Sequence, residues 1–366
     1  MKIIFDAEEF KIRPRGIVKT TICLYEACQA AMPGMEFLGI ARKPVATVLP
    51  EGIKTTRLKP NLPRSAWRFV MYNAYMPFHD CTALHFPANG LIPPIITAPK
   101  TNIVMTLHDI LPMLMPGHFA NDAKLAHYKE RRQNDIDRSR IVFTDSECSK
   151  KDILKNFAVR TEPVVLYLAP TLAPEHYDPI VDIRATEDYF IYAGGYDRRK
   201  GLDALLRVFL GLHREKKITS RLYLTGSKSY YSDAFKKLLD EALDLKIVRE
   251  FDYVSDRELT ALMRKSRGLI YPSLYEGFGL PPLEAMNVGC PVITTPYSSI
   301  PEICGDAPIY IHPDDDKGFG EAIIALDTNG RLRARLIAKG KEQADRYSWS
   351  RSASTFLEHI SRLNTR

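Results

Sequence analysis

Short apolar runs alternate with amphipathic stretches along most of this chain. Runs of a few apolar residues predict buried strands, whereas apolar positions that recur every three or four residues predict helices. The first half is expected to contain strands at residues 3–5, 102–107 and 141–144, and helices at residues 18–31 and 123–137. This alternation is typical of parallel, doubly wound α/β sheets.

The same alternation resumes after a proline-containing stretch at residues 163–174, where we expect the first domain to end. The expected strands lie at residues 189–193, 221–225, 247–251, 267–271, 292–294 and 309–311. The expected helices lie at residues 202–214, 232–243, 258–265, 334–346 and 350–363. A chain of 366 residues exceeds the size at which one core usually stops growing, so two domains are expected, at residues 1–170 and 171–349.

Composition narrows the class of protein. No apolar run approaches the roughly 20 residues that cross a bilayer, and the first residues lack a signal-peptide pattern. The six cysteines lie mostly among apolar residues and form no Cys-x-x-Cys pair, so we expect reduced thiols, no disulfide and no zinc. We therefore expect a cytoplasmic protein.

The most informative segment, residues 275–295, places Glu276 and Glu284 around a glycine-rich turn that opens a helix. Pro281 and Pro282 suit a first helical turn, where no intrahelical N–H bond is lost. A helix N-terminus favours an anion by roughly 0.3 to 1 kcal/mol, and glycine lets the backbone approach it closely. We expect a diphosphate to bind the backbone amides of Gly277, Phe278, Gly279 and Leu280. The carboxylates would accept hydrogen bonds from sugar hydroxyls.

This segment closely resembles the Glu-x7-Glu signature of the family 4 retaining glycosyltransferases, which have the GT-B fold. Similarity to that family extends to residues 190–201 and 251–259, and more weakly to residues 83–89, 106–110 and 144–152, in the expected order. The resemblance implies two Rossmann-like domains that face each other across a cleft. The N-terminal one would bind the acceptor and the C-terminal one the nucleotide sugar, and a last helix at residues 350–366 would complete the N-terminal domain.

The resemblance also implies roles for single residues. Glu276 would bind hydroxyls of the transferred sugar, and Glu284 would bind the ribose. Lys200 falls on the family's phosphate-binding lysine, and Arg199 would supply a charge that relatives carry where this chain has Gly195. His108 would contact the donor sugar. For the acceptor, the implied residues are Arg15, Gly16, Asp109 and His85.

Structural interpretations remain open for several of these residues. Glu284 would serve equally as a first-turn glutamate favoured by the helix dipole, and residues 198–200 as a basic helix cap. His85 and His108 would serve as hydrogen-bonded residues at strand ends. Ser146 and Ser149 are expected to be helix caps. The acidic residues at 135–137 and 314–316 are expected to lie in a charged helix and a solvated loop, and no metal or other cofactor is expected.

The net charge of +7 lies entirely in the first half, where residues 1–170 hold 23 Lys and Arg against 16 Asp and Glu. Residues 171–366 hold 28 of each. A basic acceptor domain suits a lipid-linked or otherwise anionic acceptor at the inner membrane surface, although ordinary charge scatter would look the same. Residues 54–59, Arg64 and Arg68, near Trp67 and Phe69, are the docking candidates. No nucleic-acid-binding module accompanies the charge.

The expected reaction is transfer of a hexose from a nucleoside diphosphate sugar to a hydroxyl of a saccharide or lipid-linked acceptor, with retention. The Arg-Arg-Lys-Gly loop at residues 198–201 favours GDP-mannose and surface-polysaccharide assembly, with UDP- and dTDP-sugars as alternatives. A non-catalytic nucleotide-sugar-binding subunit and a pyridoxal-phosphate phosphorylase of the same fold are the other candidates. A Rossmann dehydrogenase is disfavoured, since no Gly-x-Gly-x-x-Gly follows the first strand.

Overall fold

The computed structural model describes residues 1–10, 16–43, 45, 49–57, 62–70, 72–73, 80–89, 92–93, 101–115, 117–177, 188–228 and 232–365. The chain divides into two compact units. The first unit comprises Met1–Ala169 together with Ser348–Arg366, and the second comprises Pro170–Tyr347.

The first unit is built on a parallel sheet whose described strands number seven, in the order β3-β2-β1-β4-β5-β6-β7. The strands are β1 (Lys2–Asp6), β2 (Glu36–Ala41), β3 (Ile53–Arg57), β4 (Ala83–Phe86), β5 (Ile103–Thr106), β6 (Ile141–Thr144) and β7 (Val164–Val165). The helices that connect them are α1 (Ile17–Ala31), α2 (Arg64–Val70), α3 (Leu111–Leu114), α4 (Asp122–Arg138) and α5 (Glu147–Asn156).

Both faces of this sheet are buried, which explains why its central strands are mostly apolar. Successive residues of a strand point to opposite faces, so Ile3 and Phe5 lie in one core while Ile4 lies in the other. The first core also contains Tyr25 of α1, whose ring stacks on Phe37 at 4.0 Å between centroids. Since the strands are parallel, their carboxyl ends lie along one edge, where polar residues follow β4, β5 and β6.

The second unit contains a parallel sheet of six described strands, in the order β10-β9-β8-β11-β12-β13. The strands are β8 (Tyr189–Ala193), β9 (Arg221–Thr225), β10 (Val248–Phe251), β11 (Leu269–Tyr271), β12 (Val292–Thr294) and β13 (Ile309–Tyr310). The helices are α6 (Leu202–Arg214), α7 (Asp233–Asp244), α8 (Asp256–Lys265), α9 (Leu280–Asn287), α10 (Ile300–Cys304), α11 (Asp316–Thr328) and α12 (Gly330–Ala344). The order places β8 beside β11, so the loops that follow these two strands are neighbours.

The last helix, α13 (Trp349–Ser361), belongs to the first unit and packs on α1. Ser348 caps its N-terminus by accepting a hydrogen bond from the Arg351 amide at 3.4 Å. Phe356 and Ile360 are fully buried in the same core as Phe5 and Tyr25.

The expected α/β class with two doubly wound units is confirmed, and the strands at residues 141–144, 189–193 and 221–225 have the predicted bounds. The prediction of a solvated loop at residues 314–316 holds for Asp314 and Asp315, which are exposed and precede a helix, but not for Asp316. Asp315 caps α11 by accepting the Gly318 amide at 2.9 Å, and Asp316 is the first residue of that helix. Within the described residues, no helix is both long enough and apolar enough to traverse a bilayer.

Candidate functional site

The carboxylate of Glu276 is the centre of a buried polar cluster in the second unit. Glu276 follows β11 in the turn that leads to α9, and its Oε1 atom accepts from four side chains. The donors are Lys200 Nζ at 2.5 Å, Ser273 Oγ at 2.5 Å, Tyr271 Oη at 2.9 Å and Arg199 Nη1 at 3.0 Å. Lys200 also donates to Tyr271 Oη and lies over that ring, 4.8 Å from its centroid.

Arg199 and Lys200 reach Glu276 because a single 3₁₀ turn, Arg198–Lys200, follows β8 at the carboxyl edge of the sheet. Asp197 caps this turn by accepting the Arg199 amide at 3.0 Å. Gly201 ends it with a φ of +64°, and a Cβ there would clash with the Pro272 carbonyl. The Arg199 carbonyl accepts from the Leu274 amide at 2.7 Å, which joins the two loops.

The charges of the cluster are strongly coupled. Burial on its own would raise the pKa of Glu276, but the charges of Lys200 and Arg199 outweigh it and lower the pKa to about 2. Burial lowers the pKa of Lys200, an effect that Glu276 opposes. Burial and the Glu276 charge raise the pKa of Tyr271 well above its usual value, so its hydroxyl keeps its proton and donates it. The cluster therefore holds one carboxylate between two cations, which is the charge pattern expected of an anion-binding edge.

The N-terminus of α9 lies directly after Glu276. Gly279 precedes the helix with a φ of +103°, and no side chain caps it. Proline has no N–H, so Pro281 and Pro282 remove two of the donors that a helix start normally offers. An anion at this end would have to be bound by the amides that precede them, as predicted for the turn. Phe278 is buried against Tyr347, at 5.9 Å between ring centroids.

Glu284 lies inside α9 and is 8% exposed. Its Oε1 accepts from the hydroxyl of Thr171 and from the Thr171 amide at 3.4 Å. On the same helix, Asn287 Nδ2 donates to the Leu172 carbonyl at 2.8 Å. Glu284 therefore contacts the segment that begins the second unit, whereas Glu276 contacts the turn after β8. Gly195 lies in the same connection as that turn, and its carbonyl accepts from Tyr192 Oη at 2.9 Å.

His108 and His85 lie in the first unit, where strands β5 and β4 end. His108 Nδ1 lies 2.8 Å from Asp145 Oδ2, and its Nε2 lies 2.8 Å from the Pro87 carbonyl oxygen. Burial would lower the pKa of His108, but the Asp145 carboxylate and these hydrogen bonds raise it. His85 bonds to the hydroxyls of Tyr25 at 2.7 Å and Thr106 at 2.9 Å, and burial lowers its pKa to about 3.

Both histidines line one pocket of the first unit, whose empty space, its mouth included, is about 310 Å³. Asp109 follows His108 in the sequence. Its Oδ1 accepts from the Leu111 amide at 3.0 Å, which fixes the start of α3. Gly16 precedes α1 with a φ of +47°. Arg15, the remaining acceptor prediction, lies outside the described residues.

Four site residues carry no sequence prediction. Tyr271 and Ser273 lie just before the segment 275–295, but nothing in the sequence shows that both donate to Glu276. Asp145 and Thr171 are the partners of His108 and Glu284, and each lies far from its partner in sequence. Only the fold brings these partners together, so the sequence gives no sign of them.

The prediction of a docking surface around Trp67 was wrong in part. Trp67 is fully buried, and Arg68 is 5% exposed with its Nη2 3.0 Å from Asp6 Oδ2. The Arg68–Asp6 pair anchors the carboxyl end of β1. Neither Trp67 nor Arg68 is therefore available to a docking surface. Phe69 is 43% exposed, whereas part of the stretch 54–61 and the side chain of Arg64 lie outside the described residues.

No group of three metal-ligating side chains occurs in the part of the chain that the structure describes. Asp135 is paired with Arg132, Oδ2 to Nη1 at 3.1 Å, and is 2% exposed.

Comparison with known proteins gives a consistent result. Residues 175–343 match the family model for glycosyl transferases group 1. The O-antigen chain mannosyltransferase B of Escherichia coli is 28% identical over 254 residues, 67% of this chain and 66% of that protein. The O-antigen chain mannosyltransferase RfbU of Salmonella typhimurium is 27% identical over 302 residues, 80% of this chain and 78% of that protein.

Other relatives are much longer than the matched stretch, which spans 35% of the serotype-specific mannosyltransferase WbdA of Escherichia coli. Among solved structures, the sucrose-phosphate synthase of Thermosynechococcus elongatus is similar with a TM-score of 0.78 at 17% identity, covering 100% of this chain and 99% of that one. Anabaena HepE in complex with UDP and glucose gives a TM-score of 0.77 at 16% identity and covers 99% of each chain. These structures show that the fold is GT-B.

Proposed function

We propose that this chain, whose residues 175–343 match the family model for glycosyl transferases group 1, transfers a hexose from a nucleoside diphosphate sugar to an acceptor hydroxyl, with retention at the anomeric carbon. The donor we favour is GDP-mannose, and the acceptor class is a saccharide or a lipid-linked saccharide. UDP- and dTDP-sugars are the alternatives for the donor. A subunit that binds a nucleotide sugar without catalysis is the alternative for the activity.

The observation that carries this proposal is the contact of Lys200 and Arg199 with Glu276 at the start of α9. Two cations held at the N-terminus of a helix suit a diphosphate, whose negative charge grows as the sugar leaves. Glu276 keeps these cations in place through Oε1, the atom that the four donors contact. Its other oxygen, Oε2, would accept hydrogen bonds from sugar hydroxyls. Glu284, buried beside Thr171, would hold the ribose.

In the proposed step, the acceptor hydroxyl oxygen forms a bond to the anomeric carbon while the bond from that carbon to the diphosphate oxygen breaks. The hydroxyl proton moves to the leaving phosphate, and the new bond forms on the face that the leaving group vacates. Glu276 binds the sugar and forms no covalent bond with it. Lys200, Arg199 and the turn amides stabilise the departing charge, so the step requires no metal and no other cofactor.

The relatives support the choice of mannose, since three of their names specify O-antigen or serotype-specific mannosyltransferases. The basic balance of the first half supports an anionic acceptor and peripheral contact with the anionic inner face of the cytoplasmic membrane. With Trp67 and Arg68 buried, that contact would involve other basic residues of the first half.

Thermal unfolding with GDP, UDP and dTDP tests the donor, with ADP as a control of equal charge. A nucleotide at about 100 times its Kd stabilises the native state by about 2.7 kcal/mol, so the matching base should raise Tm most. Transfer from the corresponding sugar nucleotide then separates an enzyme from a binding subunit, and the anomeric configuration of the product tests retention. Equal Tm shifts with all four nucleotides, or none, would contradict a nucleotide-sugar site.

A further inference from the structure

Both ring nitrogens of His108 face groups that only accept hydrogen bonds. Nδ1 lies 3.0 and 2.8 Å from the two oxygens of Asp145, and Nε2 lies 2.8 Å from the Pro87 carbonyl oxygen. A neutral imidazole has one donor and one acceptor nitrogen and would leave one of these contacts without a proton. Only the doubly protonated ring satisfies both, and His108 is 7% exposed, so water does not replace either partner.

His85, whose ring lies on the neighbouring strand, provides a contrast within the same pocket. Its two partners are the hydroxyls of Tyr25 and Thr106, each of which either donates or accepts. Those contacts are compatible with a neutral ring. The titratable and charged groups that act on His108 are Asp145, Asp109 and His85, two carboxylates against one neutral ring.

Asn89, two residues after Pro87 in the same loop, connects this loop to His108 and to β5. Asn89 Oδ1 accepts from the His108 amide at 2.8 Å, and the Asn89 amide donates to the Thr106 carbonyl at 3.1 Å. The residue has a φ of +51°, a conformation that asparagine tolerates better than most residues. The loop is therefore tied to the His108 backbone and to the end of β5.

A buried ion pair on α4 holds the other side of this loop. Arg132 Nη1 donates to the Asn89 carbonyl and lies 3.1 Å from Asp135 Oδ2. Asp135 Oδ1 accepts from the Ile92 amide at 3.2 Å. Arg132 and Asp135 are 6% and 2% exposed, and a buried pair of this kind is costly unless its geometry is well satisfied.

We propose that His108 is a permanent imidazolium, and that Asp145, Asn89 and the Arg132–Asp135 pair are positioning residues that keep it so. Arg132 and Asp135 act through Asn89, which sets the Pro87 carbonyl against Nε2, while Asp145 compensates the charge at Nδ1. The ring cannot serve as a general base, because neither nitrogen has a lone pair to receive a proton. It presents a fixed positive charge to the wall of the pocket that it lines.

The charge state is independent of the proposed function, whereas its effect on turnover rests on that function. Nitrogen NMR of the full-length protein with ¹⁵N-labelled histidine tests the charge state without any substrate. At about pH 8, well above the ordinary histidine pKa of about 6.5, both nitrogens of His108 should carry protons. The His108→Gln variant assigns its signals, and His85 should show one protonated and one bare nitrogen under the same conditions. A bare nitrogen on His108 would overturn the proposal.

Variants separate positioning from mere folding. Asp145→Asn should remove the two-proton signature at about pH 8, and Asp135→Asn should weaken it by releasing Asn89. Asn89→Gly keeps the positive φ but loses the side-chain acceptor, whereas Asn89→Asp keeps an acceptor and should restore the signature. Lys129→Ala, on an exposed position of α4, is the control. An Asp145→Asn protein that remains doubly protonated, or an Asn89→Gly protein that matches the wild type, would contradict the positioning role.

Kinetics with the cognate donor extend the test to turnover. Displacement of a fixed charge by a fraction of an ångström should lower kcat about tenfold in Asp135→Asn with little change in KM for the donor. Wild-type kcat in a variant that has lost the NMR signature would show that the charge does not act in transfer. If the wild type transfers no sugar but both nitrogens of His108 carry protons, the result would count against the proposed function alone.

Discussion

Lys200 Nζ lies 2.5 Å from Glu276 Oε1, although 76 positions separate the two residues in the chain. The contact follows from topology, because β8 and β11 are neighbours in a parallel sheet and their following loops meet at one edge. One loop brings two cations and the other brings the carboxylate that pairs with both. Loss of Glu276 removes the counter-ion of both cations, whereas loss of Lys200 leaves Glu276 paired with Arg199 alone, and this gives the site its experimental signature.

Replacement of Lys200 by alanine should lower turnover by about 100-fold or more, because the proposed step uses this cation to stabilise the charge on the leaving diphosphate. The measurement is kcat for transfer from the donor that the thermal screen identifies. Lys237→Ala, on the exposed side of α7, removes an equal charge from the same unit and should leave kcat unchanged. Equal kcat in Lys200→Ala and wild type would remove Lys200 from the reaction.

Replacement of Glu284 by alanine should weaken donor binding by about tenfold or more, because the proposed role of this buried carboxylate is to accept hydrogen bonds from the ribose hydroxyls. Calorimetric titration with the nucleoside diphosphate measures this. Thr171→Val removes the hydroxyl that Glu284 accepts from and should weaken binding less. If nucleotide affinity is unchanged in Glu284→Ala while the protein remains folded, the carboxylate has a purely structural role.

The Glu276 carboxylate should make the second unit sensitive to acid. Its pKa is about 2 in the folded protein and 4.5 as its ordinary value, so the stability it contributes is fully present above about pH 4.5. That contribution decreases as the pH falls towards about 2. At neutral pH, Glu276→Gln should destabilise the protein by about 3 to 5 kcal/mol, because the buried Lys200 and the partly buried Arg199 lose their counter-ion.

Urea unfolding of the wild type and Glu276→Gln over this pH range is the corresponding measurement. The difference in unfolding free energy should shrink between about pH 4.5 and pH 2, because only the wild type takes up the additional proton on unfolding. A difference that stays constant over that range would show that Glu276 does not ionise in the fold as described.

Gly201→Ala should destabilise the second unit by about 3 kcal/mol or more, since it combines a positive φ with a clash against the Pro272 carbonyl. Gly289→Ala is a matched control with a φ of +80° and only ordinary contacts, the nearest at 3.7 Å, and should cost about 1 kcal/mol. Thermal unfolding of both variants distinguishes the two effects. Similar losses in both would mean that the clash at Gly201 is relieved by movement of the 3₁₀ turn.

Buried elements with a clear pattern are those that the sequence predicted best. The strand at residues 189–193 and the helix at residues 202–214 have their predicted bounds, because five apolar residues in a row and a strong apolar stripe each leave one interpretation. Strand β3 has a single buried residue, Ile53, and lies at the sheet edge, so it carries no apolar signal. Strand β2 was also missed, although four of its six residues are buried, because Gly39 interrupts its apolar run.

In the site, the sequence identified the charged groups but not their partners. The Glu-x7-Glu spacing and the basic loop led to Glu276, Lys200 and Arg199, which the structure brings together. In the sequence, nothing distinguishes Tyr271 and Ser273 from other tyrosines and serines. In the fold, the hydroxyls of both donate to the same oxygen of Glu276. The two histidines differ in the same way, since only the structure distinguishes carboxylate and carbonyl partners from hydroxyl partners.

Helix α13 has a consequence for how the molecule is made. It supplies Phe356 and Ile360 to the core around β1, so this strand cannot complete its packing until a helix far downstream has been translated. Pro170–Tyr347, which lies between the two parts of the first unit, forms a unit of its own. All of its strands and helices are present once Tyr347 has been translated. Pro170–Tyr347 should therefore fold before the unit that contains β1, which remains incomplete until α13 has been translated.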